Sequence, residues 1–206
     1  MHEMIDLVDE LTDCGAQVLT PCCDIANVEQ LQKMVHESSR YMPPIEECIQ
    51  SAMLLRDSVF ERMTWDDWVQ STRPKVQGSW NLHITIPLGM DFFLFLSSIS
   101  AIIGQVGQSN YAPGHTYEDG LCRHRNSIGE CTSVVNLGML ITKGVIVETK
   151  GLLALLRKMG QMMEISQDEM FALLEHHCNP RNHTNDPKAC QTIFEVEIPS
   201  TIRENG

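Results

Sequence analysis

The sequence is poor in basic residues. Its 206 residues include 15 lysines and arginines against 27 aspartates and glutamates, which gives a formal net charge of −12. Phosphate backbones and anionic membrane surfaces repel a chain of this charge, so nucleic acids and membranes are not expected as partners. The sequence also lacks a long apolar run, because the longest, around residues 92–103, is interrupted by serines and is too short to span a bilayer.

The N-terminal stretch MHEMIDLVDELTD has no basic region followed by an apolar core. It therefore does not have the pattern of a secretory signal peptide. With no targeting segment in view, we expect a cytoplasmic protein.

The chain has no C-x-x-C pair among its eight cysteines, most of which stand inside apolar segments. In a reducing compartment such cysteines act as small hydrophobic residues, so we predict no disulfide framework. The stretch HHCNPRNH offers four side chains of metal-binding type: His176, His177, Cys178 and His183. Because the stretch is rich in turn residues and its spacing is irregular, a solvated loop is favoured over zinc and we predict no metal site.

Helical and strand patterns alternate along the chain. Apolar periodicity predicts helices over residues 4–11, 27–39, 64–86, 109–129, 151–162 and 166–177. Mostly apolar segments predict strands over residues 16–24, 43–53, 91–100, 131–140 and 191–199. Three helices begin with capping residues: Asn27, Thr64 with Asp67, and Ser166 with Glu169. Pro74 stands inside the third predicted helix, where we expect a kink or a break.

Apolar strands that alternate with helices are typical of a parallel sheet covered by helices on both faces. The sequence therefore predicts an α/β fold with right-handed crossovers, and we expect one domain over residues 1–206. Ligands of such sheets bind at the carboxyl ends of the strands. Polar or small residues stand at four of these ends: Asp24, residues 50–53, residues 97–100 and residues 136–139. A ligand crevice is the favoured interpretation, and simple strand-to-loop turns are the alternative for each one.

The stretch FLFLSSISAIIGQVGQSNYAPGHTYEDGL joins an apolar strand to a helix. Ser98 ends the strand, Tyr111 follows 13 residues later, and His115 lies one helical turn beyond it. This stretch, with PCCDIAN, MPPIEECIQSAMLLRDSVFERMTWDDW, RPKVQGSWNLH and QTIFEVEIPSTIRENG, resembles the short-chain dehydrogenase/reductase family. The resemblance is closest to the ketoreductase domains of fungal highly reducing polyketide synthases. It runs over nearly the whole chain and implies a Rossmann-like parallel sheet.

The resemblance implies NADPH-dependent reduction of a β-ketoacyl thioester to a β-hydroxyacyl thioester. In that reaction Tyr111 donates a proton to the developing alkoxide, and Ser98 hydrogen-bonds the same oxygen. Lys75, from RPKVQG, lowers the pKa of the tyrosine. A free phenol, with a pKa of about 10, needs a nearby cation to act as an acid at neutral pH. An ammonium also stabilises the charge that develops on the oxygen.

Position 115 departs from the family pattern. Ordinary family members carry a lysine four residues after the tyrosine, whereas polyketide ketoreductases usually carry asparagine there and take the lysine from the earlier helix. Here the residue is His115, which is bulkier and titratable but can still form hydrogen bonds. A surface histidine without a role is an equally open interpretation.

The resemblance also assigns cofactor and substrate contacts. Asp24 matches the residue near the adenine of the cofactor. Gln50, Ser51 and Ala52 match the loop beside the ribose, and Gly138 and Met139 match the segment beside the nicotinamide. Three residues match a motif near the substrate groove that relates to facial selectivity: Leu55, Arg56 and Asp57.

The family begins with a strand and a Gly-rich turn that cradles the cofactor pyrophosphate at a helix N-terminus, and this sequence has no such segment. It also lacks the basic residue that would bind the 2′-phosphate of NADPH. We therefore expect an N-terminally truncated domain, equivalent to the last two-thirds of a ketoreductase and inactive alone. Because two central strands are missing, either their neighbours close up or an apolar sheet edge lies open.

Two functions remain open from the sequence. The first is a ketoreductase fragment that acts on a β-ketoacyl chain bound to an acyl carrier protein, within or beside a parent synthase. The second is a non-catalytic remnant that serves as a protein-binding module. A complementing chain or a second copy of this chain is a possible partner in either case.

Overall fold

The computed structural model describes residues 2–140, 164–184 and 186–194. Its helices are α1 (His2–Asp13), α2 (Val28–Ser38), α3 (Trp65–Arg73), α4 (Ser79–Thr85), α5 (Ser100–Ile103), α6 (Tyr111–Ser127) and α7 (Gln167–His177). Its strands are β1 (Glu47–Gln50), β2 (Phe92–Ser98), β3 (Thr132–Leu137), β4 (Met139–Leu140), β5 (Glu164–Ile165) and β6 (Gln191–Ile193). Two 3₁₀ turns cover Phe60–Arg62 and Pro180–Asn182, and a π-helical turn covers Pro74–Gly78.

Four strands form one parallel sheet in the order β1-β2-β3-β6. Leu94 of β2 lies opposite Ile49 of β1 on one side and opposite Ser133 of β3 on the other. β4 and β5 form a separate parallel pair, with Met139 opposite Glu164. The parallel sheet and its flanking helices confirm the predicted α/β, Rossmann-like architecture.

The apolar core lies on both faces of the sheet because neighbouring side chains of β2 point in opposite directions. Phe93 and Phe95 belong to a buried cluster with residues of α2, α4 and α6. Phe92 and Leu94 belong to a second cluster with β3 and α7. Burial on both faces explains why the sequence of β2 is a continuous apolar run.

The three predicted helix caps are confirmed. The Asn27 side chain accepts a backbone N–H at the start of α2. Thr64 and Asp67 form a reciprocal capping box before α3, and Ser166 and Glu169 form a second one before α7. Each cap satisfies backbone donors that have no partner inside the helix.

Pro74 interrupts the predicted helix over residues 64–86, as expected. A proline inside a helix cannot donate to the preceding turn. α3 accordingly ends at Arg73, and the chain passes through the π-helical turn before α4 begins at Ser79. This turn buries Lys75.

The predicted strand over residues 16–24 is wrong, since this segment has no regular structure. Pro21 has no N–H to donate to a strand ladder. The Asp24 carboxylate accepts the N–H of Ala26 at 2.9 Å, which turns the chain toward α2. Within the described residues no strand lies on the outer side of β1, so that edge is open and Ile49 is 46% exposed.

The other differences concern lengths. β1 is shorter than the predicted strand over residues 43–53, and β6 is the described part of the predicted strand over residues 191–199. The helix predicted over residues 151–162 lies outside the described residues. No described helix combines the length and the apolarity that a membrane crossing requires.

Candidate active site

The carboxyl end of β2 meets the N-terminus of α6. Ser98 is the last residue of β2, and Tyr111 is the first residue of α6. Gly107 has a φ of 82°, which turns the chain just before α6, and the N–H of Tyr111 bonds the carbonyl of Gln108 at 3.1 Å. Both hydroxyls therefore stand at the sheet edge where α/β proteins bind ligands.

The structure brings Ser98 and Tyr111 together. Burial raises the pKa of the Tyr111 phenol, the hydrogen bond with Ser98 opposes this rise, and the charges of Glu118 and Asp57 add to it. The Tyr111 hydroxyl also lies 3.6 Å from Sδ of Met53, in the loop that follows β1. The phenol consequently keeps its proton at neutral pH, as a proton donor must.

Lys75 is 1% exposed and is held by two oxygens. Its ammonium donates to the carbonyl of Leu96 at 2.9 Å and lies 3.2 Å from a carboxylate oxygen of Glu118. Burial lowers the pKa of Lys75, and the charge of Glu118 opposes that change. The lowering of the Tyr111 pKa by Lys75 stays a prediction; in this structure the ammonium is paired with Glu118.

His115 is buried, with 1% of its surface exposed, so the interpretation as a surface histidine is wrong. Its ring meets the Tyr111 ring at a tilted angle with 4.3 Å between centroids, and its Nδ1 lies 3.5 Å from Oε2 of Glu118. Burial, reinforced by the charge of Lys75, lowers its pKa to about 3, and the ring is neutral. His115 thus lies between the phenol and the buried ion pair.

One face of α6 carries this arrangement. Tyr111, His115 and Glu118 follow one another at steps of four and three residues, which places them on the same side of a helix. Gly114 lets that side approach the π-helical turn, since a Cβ at Gly114 would lie 2.9 Å from Cβ of Lys75. The small residue and the turn together bring Lys75 within reach of Glu118.

The loop that carries residues 55–57 is tied to the start of α6. The buried amide of Asn110 donates to the carbonyl of Arg56 at 2.8 Å. The side-chain amide of Gln108 donates to the Asp57 carboxylate at 3.0 Å. Two residues of the predicted substrate-groove motif, Arg56 and Asp57, are thus held against the segment that precedes Tyr111, and the assignment of the motif stays a prediction.

The predicted ribose loop is shaped by Gln50. The buried Gln50 amide donates to the carbonyl of Pro74 at 3.0 Å and to the hydroxyl of Ser79 at 3.1 Å. Its oxygen accepts the N–H of Ala52 at 2.9 Å, which sets the path of Ser51 and Ala52 beyond β1. The Gln50 side chain is fully engaged within the protein, so it positions this loop.

The remaining predicted cofactor residues are Asp24, in the irregular segment before α2, and Gly138 and Met139, which follow β3. The Asp24 carboxylate forms an ion pair of 2.9 Å with Arg73 at the end of α3, and no contact among the described residues joins it to Tyr111. Gly138 follows β3, and Met139 is buried in the small β4–β5 pair.

Two other features lie apart from this site. Among the described residues no group of three or more His, Cys, Asp or Glu side chains is arranged to hold a metal ion. In the HHCNPRNH stretch, His176 and His177 pack against each other with 5.0 Å between ring centroids.

A groove of about 530 Å³ lies between residues 19–22 and α2, and its lining includes none of the predicted site residues.

Two residues of the site were not predicted from the sequence, Gln108 and Glu118, whereas Ser100 belongs to the predicted crevice residues 97–100. Glu118 could have been found from its helical spacing to Tyr111 and His115. Gln108 carries no such signal, because it belongs to the irregular connection between α5 and α6, and only the folded loop brings it beside Ser100.

Comparison with known proteins agrees with this geometry. Residues 1–142 match the family model described as the KR domain. The chain is 41% identical over 199 residues to the reducing polyketide synthase pksF of Alternaria solani, covering 97% of this chain and 9% of that protein. It is 38% identical over 209 residues to highly reducing polyketide synthase 40 of Fusarium mangiferae, covering 98% of this chain and 8% of that protein. The chain thus spans less than a tenth of these relatives.

Solved ketoreductase structures share the fold. A ketoreductase domain from the bacillaene assembly line matches with a TM-score of 0.83 at 18% identity, covering 100% of this chain and 49% of that one. An N-terminal ketoreductase from the macrolactin assembly line matches with a TM-score of 0.79 at 21% identity, covering 100% of this chain and 39% of that one. Since the KR family model also covers more than half of the residues, the chain belongs to the KR domain family, and its similarity is to the ketoreductase domains of fungal highly reducing polyketide synthases.

Proposed function

We propose that this chain supplies the catalytic side of a polyketide-synthase ketoreductase, which reduces a β-ketoacyl thioester to a β-hydroxyacyl thioester with NADPH. The observation that carries the proposal is that Ser98 ends β2 and Tyr111 begins α6, so that both residues stand at the carboxyl end of the sheet. The substrate would arrive as an acyl chain on the carrier protein of a parent synthase. The similarity to synthases many times longer than this chain supports that setting.

The side chains divide the work at the ketone oxygen. Tyr111, whose pKa is raised, carries the proton that the developing alkoxide takes up. Ser98 hydrogen-bonds the same oxygen and so stabilises the charge that forms there. We assign Lys75 a different role from the one that the family resemblance implies: through Glu118 it anchors the helix that carries Tyr111.

The described residues suit the reacting end of NADPH and not its pyrophosphate. When bound, the nicotinamide supplies the hydride; the loop of Gln50, Ser51 and Ala52 and the segment of Gly138 and Met139 would hold that end. No described strand-to-helix connection contains a Gly-rich turn, and β2 passes to α5 through Ile99 alone. We therefore expect weak or no NADPH binding by the 206-residue chain alone.

The decisive experiment supplies a pyrophosphate-binding segment. The first βαβ segment of a related ketoreductase is fused to the N-terminus or co-expressed, and NADPH oxidation is followed with a β-ketoacyl thioester mimic. We expect turnover in the fusion and none in the chain alone. Tyr111→Phe abolishes turnover because the ring remains and the proton donor is lost. Tyr117→Phe, on the same helix, is the matched control and retains it.

The outcomes separate the two functions. A fusion that reduces ketones equally well with phenylalanine at position 111 would show that the assignment of Tyr111 is wrong. A fusion that folds and binds NADPH but reduces no β-ketoacyl mimic would favour the protein-binding module. His115→Asn, which restores the residue usual in polyketide ketoreductases, is expected to keep or raise turnover.

A further inference from the structure

A continuous line of hydrogen bonds joins Ser98 to the exposed carboxylate of Asp57. The hydroxyls of Ser98 and Ser100 lie 3.2 Å apart. Oγ of Ser100 lies 2.9 Å from Oε1 of Gln108, and Nε2 of Gln108 lies 3.0 Å from Oδ2 of Asp57. The four side chains come from the end of β2, the start of α5, the loop before α6 and the loop after β1. We refer to them as the Asp57 relay.

The chemistry of Asp57 sets the direction of every bond in the relay. An ionised carboxylate can only accept, so the amide NH₂ of Gln108 must face Asp57. The amide oxygen of Gln108 then faces Ser100 and can only accept. Ser100 has one hydroxyl proton, and it donates that proton to Gln108. The oxygen of Ser100 is left to accept the proton of Ser98.

The relay thereby fixes the direction of the Ser98 hydroxyl proton. The proton of Ser98 is directed at Ser100, and one lone pair of its oxygen accepts the N–H of Ser100 at 3.2 Å. A hydroxyl oxygen has a second lone pair. That lone pair takes no part in the relay.

We propose that Asp57, Gln108 and Ser100 are positioning residues that direct the hydroxyl proton of Ser98 toward Ser100 in the resting site. This inference rests on the proposed function. It assigns Asp57 an indirect role, which Asp57 exerts through the hydrogen bonding of Ser98. When a ketone oxygen enters, Ser98 turns its proton from Ser100 to that oxygen. The loss at Ser100 is one neutral hydrogen bond, which is small compared with leaving a buried charge unpaired.

The relay also predicts how a change at position 57 reaches the site. Asparagine at position 57 can donate as well as accept, so the amide of Gln108 is free to turn over. A reversed amide donates to Ser100, which then donates toward Ser98 and reverses the whole line. Asp57→Asn therefore alters the hydrogen bonding of Ser98 and Ser100 without touching either residue.

The test is a double-mutant cycle read by NMR on the full 206-residue chain. The reporter is the backbone amide of Ser100 in ¹⁵N–¹H spectra, since this group donates to Oγ of Ser98. We expect Asp57→Asn to move the Ser100 amide resonance by more than its linewidth. In the Gln108→Leu background the same substitution is expected to leave that resonance in place, because the line is broken at Gln108.

Gln105→Leu is the matched control. The Gln105 oxygen lies 3.5 Å from Oγ of Ser100 but has no part in the line to Asp57. In this background Asp57→Asn is expected to shift the Ser100 amide as in the unmodified chain. If Gln108→Leu lowers the stability of the protein, Gln108→Met is used in its place, because its unbranched side chain also breaks the hydrogen-bond line between Ser100 and Asp57.

Two results would overturn the relay. One is no shift of the Ser100 amide on Asp57→Asn. The other is an equal shift with and without Gln108, which would indicate a direct field effect of the charge at position 57. The spectra require neither NADPH nor turnover, so failure of the ketone-reduction assay leaves the relay standing. Failure of the cycle, in turn, leaves the roles of Ser98 and Tyr111 untouched.

Discussion

The ammonium of Lys75 and the carboxylate of Glu118 form an ion pair of 3.2 Å that is almost completely buried. Removing one member of a buried pair leaves an uncompensated charge and costs about 3–5 kcal/mol. Glu118→Gln and Lys75→Met are each expected to lower the urea unfolding midpoint strongly or to abolish cooperative unfolding.

The double substitution Lys75→Met with Glu118→Leu is the control for this pair. It removes both charges and replaces them with apolar groups, so we expect it to be less damaging than either single change. Single substitutions that cost no more than an exposed ion pair contributes, about 0–1 kcal/mol, would contradict the buried arrangement.

His115 gives the protein a defined pH dependence. Its folded pKa, about 3, lies below its ordinary value of 6.5, so the unfolded chain binds more protons between these limits. Stability from this group is present above the unfolded pKa and is lost as the pH falls below it. Linkage gives about 1.4 kcal/mol per pH unit, or up to about 2 kcal/mol between pH 6.5 and 5.

Urea unfolding of the unmodified chain and of His115→Asn at several pH values measures this difference. The free energy of unfolding of His115→Asn is expected to fall less on acidification. Burial also raises the pKa of Glu118, which by itself favours the folded state as the pH falls. Because Glu118 is present in both proteins, the difference isolates the histidine. Parallel pH profiles would show that His115 is accessible to protons in the folded state.

Replacement of glycine by alanine in α6 is expected to have opposite effects on stability at Gly114 and Gly120. Alanine is preferred over glycine in a helix by up to about 1 kcal/mol. At Gly120 no atom lies within 4 Å of the added Cβ, so Gly120→Ala is expected to stabilise the protein. At Gly114 the Cβ would lie 2.9 Å from Cβ of Lys75, which is close to the backbone and cannot swing away. Gly114→Ala is therefore expected to destabilise by about 1–3 kcal/mol.

Thermal unfolding of the two variants provides the comparison. The expected result is a higher midpoint for Gly120→Ala and a lower one for Gly114→Ala. Equal midpoints would mean that α6 does not approach the π-helical turn as closely as the structure describes.

Asp119 joins three strands of the sheet. Its carboxylate accepts from Ser97 of β2 at 3.0 Å, from Asn136 of β3 at 3.2 Å and from Gln191 of β6 at 3.1 Å. Asp119→Ala leaves buried donors without a partner, at about 1–3 kcal/mol for each group that stays unsatisfied. Urea unfolding is expected to show this loss, while Glu175→Ala, at an exposed acid of α7, has little effect. If Asp119→Ala leaves the free energy of unfolding unchanged, water has replaced the carboxylate as hydrogen-bond partner.

Local sequence signals accounted for much of the fold because each is decided by neighbouring residues. The Thr64–Asp67 capping box forms between residues three positions apart, and the break at Pro74 follows from its missing N–H. The segment over residues 16–24 shows the limit of such signals. Its apolar pattern suits a strand, but a strand also needs a neighbouring strand with which to bond, and no local signal reports whether one is present.

The sequence by itself determined the α/β alternation and the helix caps, since these depend on spacing along the chain, and the resemblance to ketoreductases paired Ser98 with Tyr111. Only the tertiary structure decided the partners of the buried polar groups. Lys75 and Glu118 are separated by a strand and two helices along the chain, and His115 is buried because Gly114 lets α6 approach the π-helical turn. In the low-dielectric interior a buried charge without a partner is costly, and which partner lies within reach depends on how the elements pack.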